Sequence, residues 1–257
     1  EASHLSTIGV SFSEPQIELD VVRDYKNKIV SRLSSGISQL ANARKVNTIH
    51  GEASFTSNNE LIVKSESGDQ IIAFKKCIIA VGSSSAMLPG LPEGNSSILT
   101  SKTALDLKDI PKNLLVVGGG VIGLELGQVY ASLGSEVSVV EFLPSLIPGA
   151  DQDIVKPLQR RLSKQFKSIM LSSKVVAVKE TEGAELSVSI ESKDGTEELR
   201  FEKILISIGR NPNTKQLNLG STGIEVDDNN FIIVDEYQKT TVDNIFAIGD
   251  VAGNPML

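Results

Sequence analysis

The feature that most constrains the fold is an apolar run followed by a glycine-rich turn and a helix. Residues 114–117 are four consecutive apolar residues, which is typical of a short buried strand. Gly118, Gly120 and Gly123 follow at the spacing G-x-G-x-x-G. The first glycine permits a tight turn, the second lets the backbone approach a pyrophosphate, and the third lets the helix pack on the strand. The segment therefore predicts a dinucleotide-binding βαβ unit with the phosphates at the helix N-terminus.

An acidic residue at the end of the next predicted strand supports this interpretation. Glu141 ends the predicted strand 136–141, about 20 residues beyond the glycine turn, where such a fold places the acceptor for the adenosine ribose hydroxyls. A carboxylate there also repels a 2′-phosphate. The residues that follow, 142–144, include no arginine that could receive one. The sequence therefore predicts NAD rather than NADP.

Composition limits the other function classes. The chain has 25 Lys and Arg against 32 Asp and Glu, a net charge of −7, which disfavours a nucleic-acid partner. No apolar run approaches the roughly 20 residues of a membrane span, and no metal-ligand set is predicted. Cys77 is the one cysteine in the sequence. We expect it to be a buried structural thiol, and the lack of an internal disulfide fits a reducing, cytoplasmic compartment.

Periodicity along the chain predicts an α/β fold with parallel sheets and antiparallel meanders. Predicted helices are 16–44, the segment after the glycine turn to about residue 133, and 151–165, with one helical turn at 103–107. Predicted strands are 46–50, 53–55, 60–63, 70–74, 77–81, 136–141, 168–172, 175–180, 185–191, 198–201, 203–208, 224–226, 231–234 and 244–250, in addition to the strand before the turn.

Three further motifs point to a known family. NIFAIGD at 244–250 is an apolar strand that presents Asp250 at its end, AVGS lies at 80–83, and ISIGRNPNT lies at 206–214. Together with the glycine turn and in this order, they resemble the flavin-dependent pyridine nucleotide-disulfide oxidoreductases. The resemblance implies a Rossmann-like NAD-binding domain inserted in an incomplete FAD-binding domain. The implied division is 1–88 for the FAD-domain remnant, 89–212 for the NAD domain and 213–257 for the return to the FAD-binding or central domain.

The resemblance also implies two sets of cofactor residues. In the NAD set, Glu141 binds the ribose, Val175 lies near the adenine, Gly209 lies on the nicotinamide side, and Glu125 lies beside the nicotinamide ring. The whole NAD set is Gly118, Gly119, Gly120, Val121, Ile122, Gly123, Glu125, Glu141, Val175 and Gly209. The FAD set is Ala53, Gly82, Ser83 and Asp250, of which Asp250 holds a ribityl hydroxyl.

Within the family, three stretches are most similar to the members that reoxidise dihydrolipoyl groups of 2-oxo acid dehydrogenase complexes. They are residues 118–141, 147–164 and 245–257. The resemblance implies electron transfer from a dihydrolipoyl domain through FAD to NAD⁺ by a homodimeric enzyme. Two alternatives remain open. One is another disulfide oxidoreductase, of the mercuric reductase or soluble transhydrogenase type, and the other is a non-catalytic NAD-binding module.

The sequence departs from the family pattern at several functional elements. The first FAD-binding glycine motif, the redox-active C-x-x-x-x-C, the lysine that pairs with Glu125 and the active-site His-Glu pair are not in it. We therefore expect a central fragment of a longer enzyme that contains no catalytic residue. This chain alone is expected to bind NAD, to be inactive, and to be purified without FAD.

Overall fold

The structure is a computed structural model that describes residues 8–10, 13, 15–183, 185–253 and 255–256. Its described helices are α1 (Leu19–Ala43), α2 (Ser101–Ala104), α3 (Val121–Ser132) and α4 (Gln152–Gln165). Its described strands are β1 (Glu52–Ser57), β2 (Glu60–Lys64), β3 (Gln70–Ala73), β4 (Cys77–Ile79), β5 (Ser83–Ser85), β6 (Ile98–Leu99), β7 (Asn113–Val117), β8 (Glu136–Val140), β9 (Ser168–Met170), β10 (Lys174–Glu180), β11 (Leu186–Ser192), β12 (Gly195–Phe201), β13 (Lys203–Ile206), β14 (Arg210–Pro212) and β15 (Ile245–Ala247).

A five-stranded parallel sheet forms the centre of the molecule. Its strand order is β6-β13-β7-β8-β9, so β13, which is late in the sequence, lies directly beside β7. In the register, Val117 pairs with Ile206 on one side and with Val140 on the other. The carboxyl ends of β13, β7 and β8 therefore meet at one edge of the sheet, which is where open α/β sheets bind ligands.

Alternate residues of each strand enter two different cores, as strand geometry requires. Leu114 and Val116 of β7 pack with α2, α3 and α4 on one face, in a cluster that includes Tyr130 of α3. Leu115 and Val117 pack on the other face with the antiparallel meander β10-β11-β12. The parallel sheet is thus covered on both faces, which explains why its strands are apolar runs without polar alternation.

A third core joins the segments that precede and follow this unit. β4 and β15 pair in parallel, with Cys77 opposite Ile245, and the cluster around them includes Phe55 and Val251. The ribbon β5-β14 connects this core to the parallel sheet on both sides. The predicted α/β class with parallel and antiparallel sheets is confirmed, and the division at residues 88 and 212 stays a prediction that these pairings support.

The long N-terminal helix is confirmed, but most of its apolar stripe is exposed in the part of the chain that the structure describes. Tyr25, Leu33 and Ile37 are each more than 60% exposed. α1 is attached through Arg23, whose Nε and Nη2 donate to the Leu107 carbonyl at 2.9 and 2.7 Å. Within the described ranges, no helix combines the length and hydropathy that a membrane-spanning segment needs.

Two smaller expectations differ from the structure. The predicted strand 46–50 is wrong, because these residues pair with no strand in the described part of the chain. Val46 and Ile49 are 56% and 45% exposed, so their apolar side chains gain little burial that would favour pairing. The predicted strands 224–226 and 231–234 meet only as an isolated bridge between Val226 and Ile232.

Because the phenol of Tyr130 is buried, we predict that the free energy of unfolding falls at alkaline pH. Its Oη donates to the Ala104 carbonyl at 2.8 Å, and burial, with smaller contributions from Asp109 and Asp106, raises its pKa to about 12. The stabilisation is therefore complete below about pH 10, the ordinary pKa of a tyrosine side chain, and is lost as the pH rises toward 12. We expect Tyr130→Phe to lower the free energy of unfolding by about 1 kcal/mol at pH 7 and to flatten the alkaline decline.

Urea unfolding followed by circular dichroism between pH 7 and 11.5 measures both effects. Tyr25→Phe is the matched control, because Tyr25 is 69% exposed on α1. Parallel stability profiles for the unmodified chain and Tyr130→Phe above pH 10 contradict this account.

Candidate dinucleotide site

The first and third glycines of the turn occupy positions where a side chain does not fit. Gly118 has φ +107°, and a Cβ there would lie 2.3 Å from the Ser207 carbonyl oxygen. A Cβ on Gly123 would lie 2.3 Å from the Gly118 carbonyl oxygen. Backbone atoms cannot yield by such distances without moving the strand or the helix. Gly118 therefore permits the tight turn and Gly123 the close packing of the helix, as the sequence predicts.

Gly120 differs from the other two. It is the N-cap residue of α3, with φ −77° and ψ 179°, so its backbone conformation is open to any residue. A Cβ there would meet no described atom within 4 Å, and no described side chain caps this helix end. The first N–H groups of α3 therefore have no intrahelical partner and lie beside unfilled space, which is the environment expected for an anion.

That space is a cleft of about 820 Å³ at the carboxyl ends of β7, β8 and β13, within the size range of small-molecule sites. Residues predicted for NAD contribute to its lining. They are Gly118, Gly120, Val121, Ile122, Glu141, Val175 and Gly209. Gly119 is buried in the turn, Gly123 is buried in the first turn of α3, and Glu125 is exposed on α3 outside the lining. The structure thus brings most of the predicted NAD residues together, and their assignment stays a prediction.

Glu141 is more tightly held than the sequence indicated. Only 6% of it is exposed. Its Oε2 accepts from the Gly119 N–H at 2.6 Å, and its Oε1 accepts from the Leu143 N–H at 2.7 Å. Each carboxylate oxygen can still accept a second hydrogen bond. The side chain is therefore fixed in one position by two backbone donors and retains capacity for ligand hydroxyls.

Other backbone groups of the glycine turn are also hydrogen-bonded. The Gly118 N–H donates to the Val140 carbonyl at 2.8 Å, and the Ile147 N–H donates to the Gly119 carbonyl at 2.9 Å. The Ser207 hydroxyl shares its hydrogen between the Gly118 carbonyl at 3.1 Å and the Val117 carbonyl at 3.0 Å. Sequence reasoning missed Ser207. The available signal was a polar residue at the end of an apolar strand, but only the adjacency of β13 and β7 shows what it contacts.

A second cluster joins residues predicted for FAD. The Ser83 hydroxyl donates to Asp250 Oδ2 at 2.5 Å. Arg210 donates from Nε to Ser83 Oγ and from Nη2 to the Ser83 carbonyl, each at 2.6 Å, and its Nε lies 3.7 Å from Asp250 Oδ2. Sequence reasoning missed Arg210, which directly follows Gly209 and also lines the cleft. The cluster therefore adjoins the dinucleotide cleft through one side chain.

The other two predicted FAD residues, Gly82 and Ala53, are located only by backbone contacts. Gly82 precedes Ser83, has φ +67°, and accepts from the Asn213 N–H at 3.0 Å. Ala53 lies on β1 opposite Val63. Their roles stay predictions.

Cys77 was expected to be a buried structural thiol, whereas the structure leaves it only half-buried at the start of β4. Burial raises the pKa of its thiol above the ordinary value, so the protonated form dominates at neutral pH. Because the thiolate is the nucleophile, this environment favours a structural residue.

Comparison with known proteins defines the class. Residues 4–257 match the family model described as pyridine nucleotide-disulphide oxidoreductase. The chain therefore belongs to the pyridine nucleotide-disulphide oxidoreductase family. FAD and NAD(H), the cofactors expected from the sequence, are those of this family.

Three individual proteins of known identity are similar to this chain. The chain is 45% identical to dihydrolipoyl dehydrogenase of Haemophilus influenzae, a match that covers 100% of this chain and 54% of that protein. It is 40% identical to leghemoglobin reductase of Glycine max, over 100% of this chain and 50% of that protein. The HOCl-induced flavoprotein disulfide reductase RclA of Escherichia coli, in its Cu(II) complex, superposes with a TM-score of 0.83 at 30% identity, over 91% of this chain and 53% of RclA. The chain thus spans about half the length of these relatives.

The geometry at Gly123 and Gly120 predicts that alanine destabilises the protein more at the first position than at the second. Gly123→Ala is expected to lower the free energy of unfolding by about 2 kcal/mol or more, because its Cβ meets backbone. Gly120→Ala is expected to cost less than about 1 kcal/mol, the scale of an N-cap change. Denaturant unfolding of both variants measures the difference, and equal losses contradict the packing assigned to Gly123.

Proposed function

We propose that this chain forms the NAD-binding part and some of the FAD-binding part of a dihydrolipoyl dehydrogenase. The observation that carries the NAD assignment is that Glu141 and the first turn of α3 line the same cleft. Supporting it, the identity to dihydrolipoyl dehydrogenases is 45% and 42% for the Haemophilus influenzae and Vibrio cholerae proteins, over the whole chain.

The residues present fit a dinucleotide. The open space at Gly120 leaves room for a pyrophosphate against the N–H groups of residues 120–122. Glu141 accepts hydrogen bonds from the adenosine ribose hydroxyls, Val175 packs near the adenine, and Gly209 lies on the nicotinamide side. When bound, NAD⁺ supplies the acceptor for a hydride. The chain's own contribution is to orient the two ends of the nucleotide along the edge of the sheet.

Charge favours NAD over NADP at this site. Glu141 is buried and fixed by two backbone donors, so it cannot swing away from a ribose that carries a phosphate. A second negative charge beside a buried carboxylate is strongly unfavourable. Discrimination against NADPH follows from the position of one carboxylate.

The flavin assignment rests on the Ser83-Arg210-Asp250 cluster. Ser83 and Arg210 hold the Asp250 carboxylate three residues beyond β15, and we assign this carboxylate to a ribityl hydroxyl. Ala53 and Gly82 complete the proposed set. When bound, FAD supplies the redox centre between dithiol and nicotinamide, and these residues hold its ribityl side.

The whole protein is proposed to act on the dihydrolipoyl domain of 2-oxo acid dehydrogenase complexes as a cytoplasmic homodimer. The sequence given has one cysteine, so the disulfide that exchanges with a dihydrolipoyl dithiol must come from outside it. We therefore propose that this chain alone does not turn over lipoamide.

A second candidate function is that of another flavoprotein disulfide reductase. The superposition on RclA at a TM-score of 0.83 supports it, although the 30% identity there is lower than the 45% to dihydrolipoyl dehydrogenase. A non-catalytic NAD-binding module is less well supported, because it would not need the Ser83-Arg210-Asp250 cluster.

Isothermal titration of this chain with NADH and NADPH tests the site. We expect NADH to bind at least about tenfold more tightly, and Glu141→Gln to weaken NADH about tenfold, since a charge-assisted acceptor is lost. Glu202→Gln is the matched control, because Glu202 Oε2 also accepts from a backbone N–H, that of Lys112 at 2.7 Å, away from the cleft. Tighter binding of NADPH, or equal effects of the two variants, contradicts the assignment.

An activity assay tests the proposed enzyme. The full-length protein that contains this sequence is expected to reduce NAD⁺ with dihydrolipoamide, and the 257-residue chain supplied with FAD is expected not to. Absorbance at 340 nm measures both. Turnover by the chain alone, or preference of the full-length protein for mercuric ion or for transhydrogenation, overturns the proposal.

A further inference from the structure

One peptide unit of the glycine turn is held at both ends by side chains. It is the peptide between Gly118 and Gly119. Its carbonyl oxygen accepts from the Ser207 hydroxyl at 3.1 Å, a hydrogen that the hydroxyl shares with the Val117 carbonyl at 3.0 Å. Its N–H donates to Glu141 Oε2 at 2.6 Å. Both glycines are buried, so water does not readily replace either partner.

Steric effects alone do not fix this peptide. It is flanked by glycine on both sides, and glycine permits backbone conformations on either side of φ = 0. The plane can therefore rotate unless hydrogen bonds oppose rotation. The two side-chain contacts supply that opposition, one from the strand on each side of β7.

We propose that Ser207 is a positioning residue for the NAD site. Its hydroxyl points the Gly118 carbonyl toward β13 and, through the rigid peptide, points the Gly119 N–H toward Glu141. This orientation sets the direction in which residues 120–122 present their N–H groups to the cleft. The inference rests on the proposed NAD function and adds a residue that touches the turn rather than the nucleotide.

The position of Ser207 follows from the sheet register. Ile206 pairs with Val117, so the next residues of β13 and β7, Ser207 and Gly118, come side by side. The Ser207 N–H also donates to the Val117 carbonyl at 2.8 Å, which continues the ladder. The hydroxyl shares its one hydrogen between the Val117 carbonyl at 3.0 Å and the Gly118 carbonyl at 3.1 Å. Ser207 precedes Ile208 and Gly209 in the cleft lining, so it joins the pyrophosphate turn to the proposed nicotinamide side.

Ser207→Ala removes the hydroxyl and little else. In the unliganded chain, we expect the Gly119 amide hydrogen to exchange about tenfold faster, as followed by NMR, because the peptide is then held at one end only. We expect the dissociation constant for NADH to rise about fivefold to tenfold by isothermal titration, the effect of losing one part-buried hydrogen bond.

Ser135→Ala is the matched control. Ser135 is buried, and its hydroxyl donates to the Pro111 carbonyl at 2.6 Å, so this variant also loses one hydroxyl-to-carbonyl bond but lies outside the cleft. We expect it to lower the urea midpoint about as much as Ser207→Ala, and to leave Gly119 exchange and NADH affinity unchanged.

Three results overturn the inference: unchanged Gly119 exchange in Ser207→Ala, unchanged NADH affinity in that variant, or an equal loss of affinity in Ser135→Ala. If the unmodified chain does not bind NADH, the proposed function fails instead. In that case, Gly119 exchange alone still decides whether Ser207 holds the peptide.

Discussion

The hydrogen bond from the Gly119 N–H to the Glu141 carboxylate is the contact on which the site depends. A carboxylate that is 6% exposed is costly to bury unless donors compensate its charge, and the Gly119 and Leu143 N–H groups do so. The same bond fixes the glycine turn against the end of β8. The turn therefore supplies a donor that the buried charge needs, and the buried charge holds the turn in place.

The parallel sheet makes this contact possible by placing three strand ends together. β13 reaches the sheet after the meander and inserts beside β7, which brings Ser207 to the turn from the side opposite Glu141. The ribbon β5-β14 then carries the chain back toward β4 and β15. Arg210, at the start of β14, contacts Ser83 and lines the cleft, so the proposed nucleotide and flavin sites share a wall.

The sequence predicts features whose cause is local or follows a fixed spacing. The glycine turn, Glu141 at the next strand end and most helices and strands are of this kind. Contacts between distant segments are harder to predict, since strand order determines them, and Ser207 was missed for that reason. Periodicity also cannot show whether a partner is present. Alternation predicted a strand at 46–50, but these residues pair with no strand in the described part of the chain. The helix α1 was predicted correctly, but its apolar stripe is exposed.

The central claim is that the cleft binds NAD along the edge of the parallel sheet. A crystal structure of this chain grown with NADH tests it most directly. The account predicts the pyrophosphate against the N–H groups of residues 120–122 and the adenosine ribose hydroxyls within hydrogen-bond distance of Glu141. An ordered nucleotide whose pyrophosphate lies away from α3, or whose ribose does not contact Glu141, would contradict it.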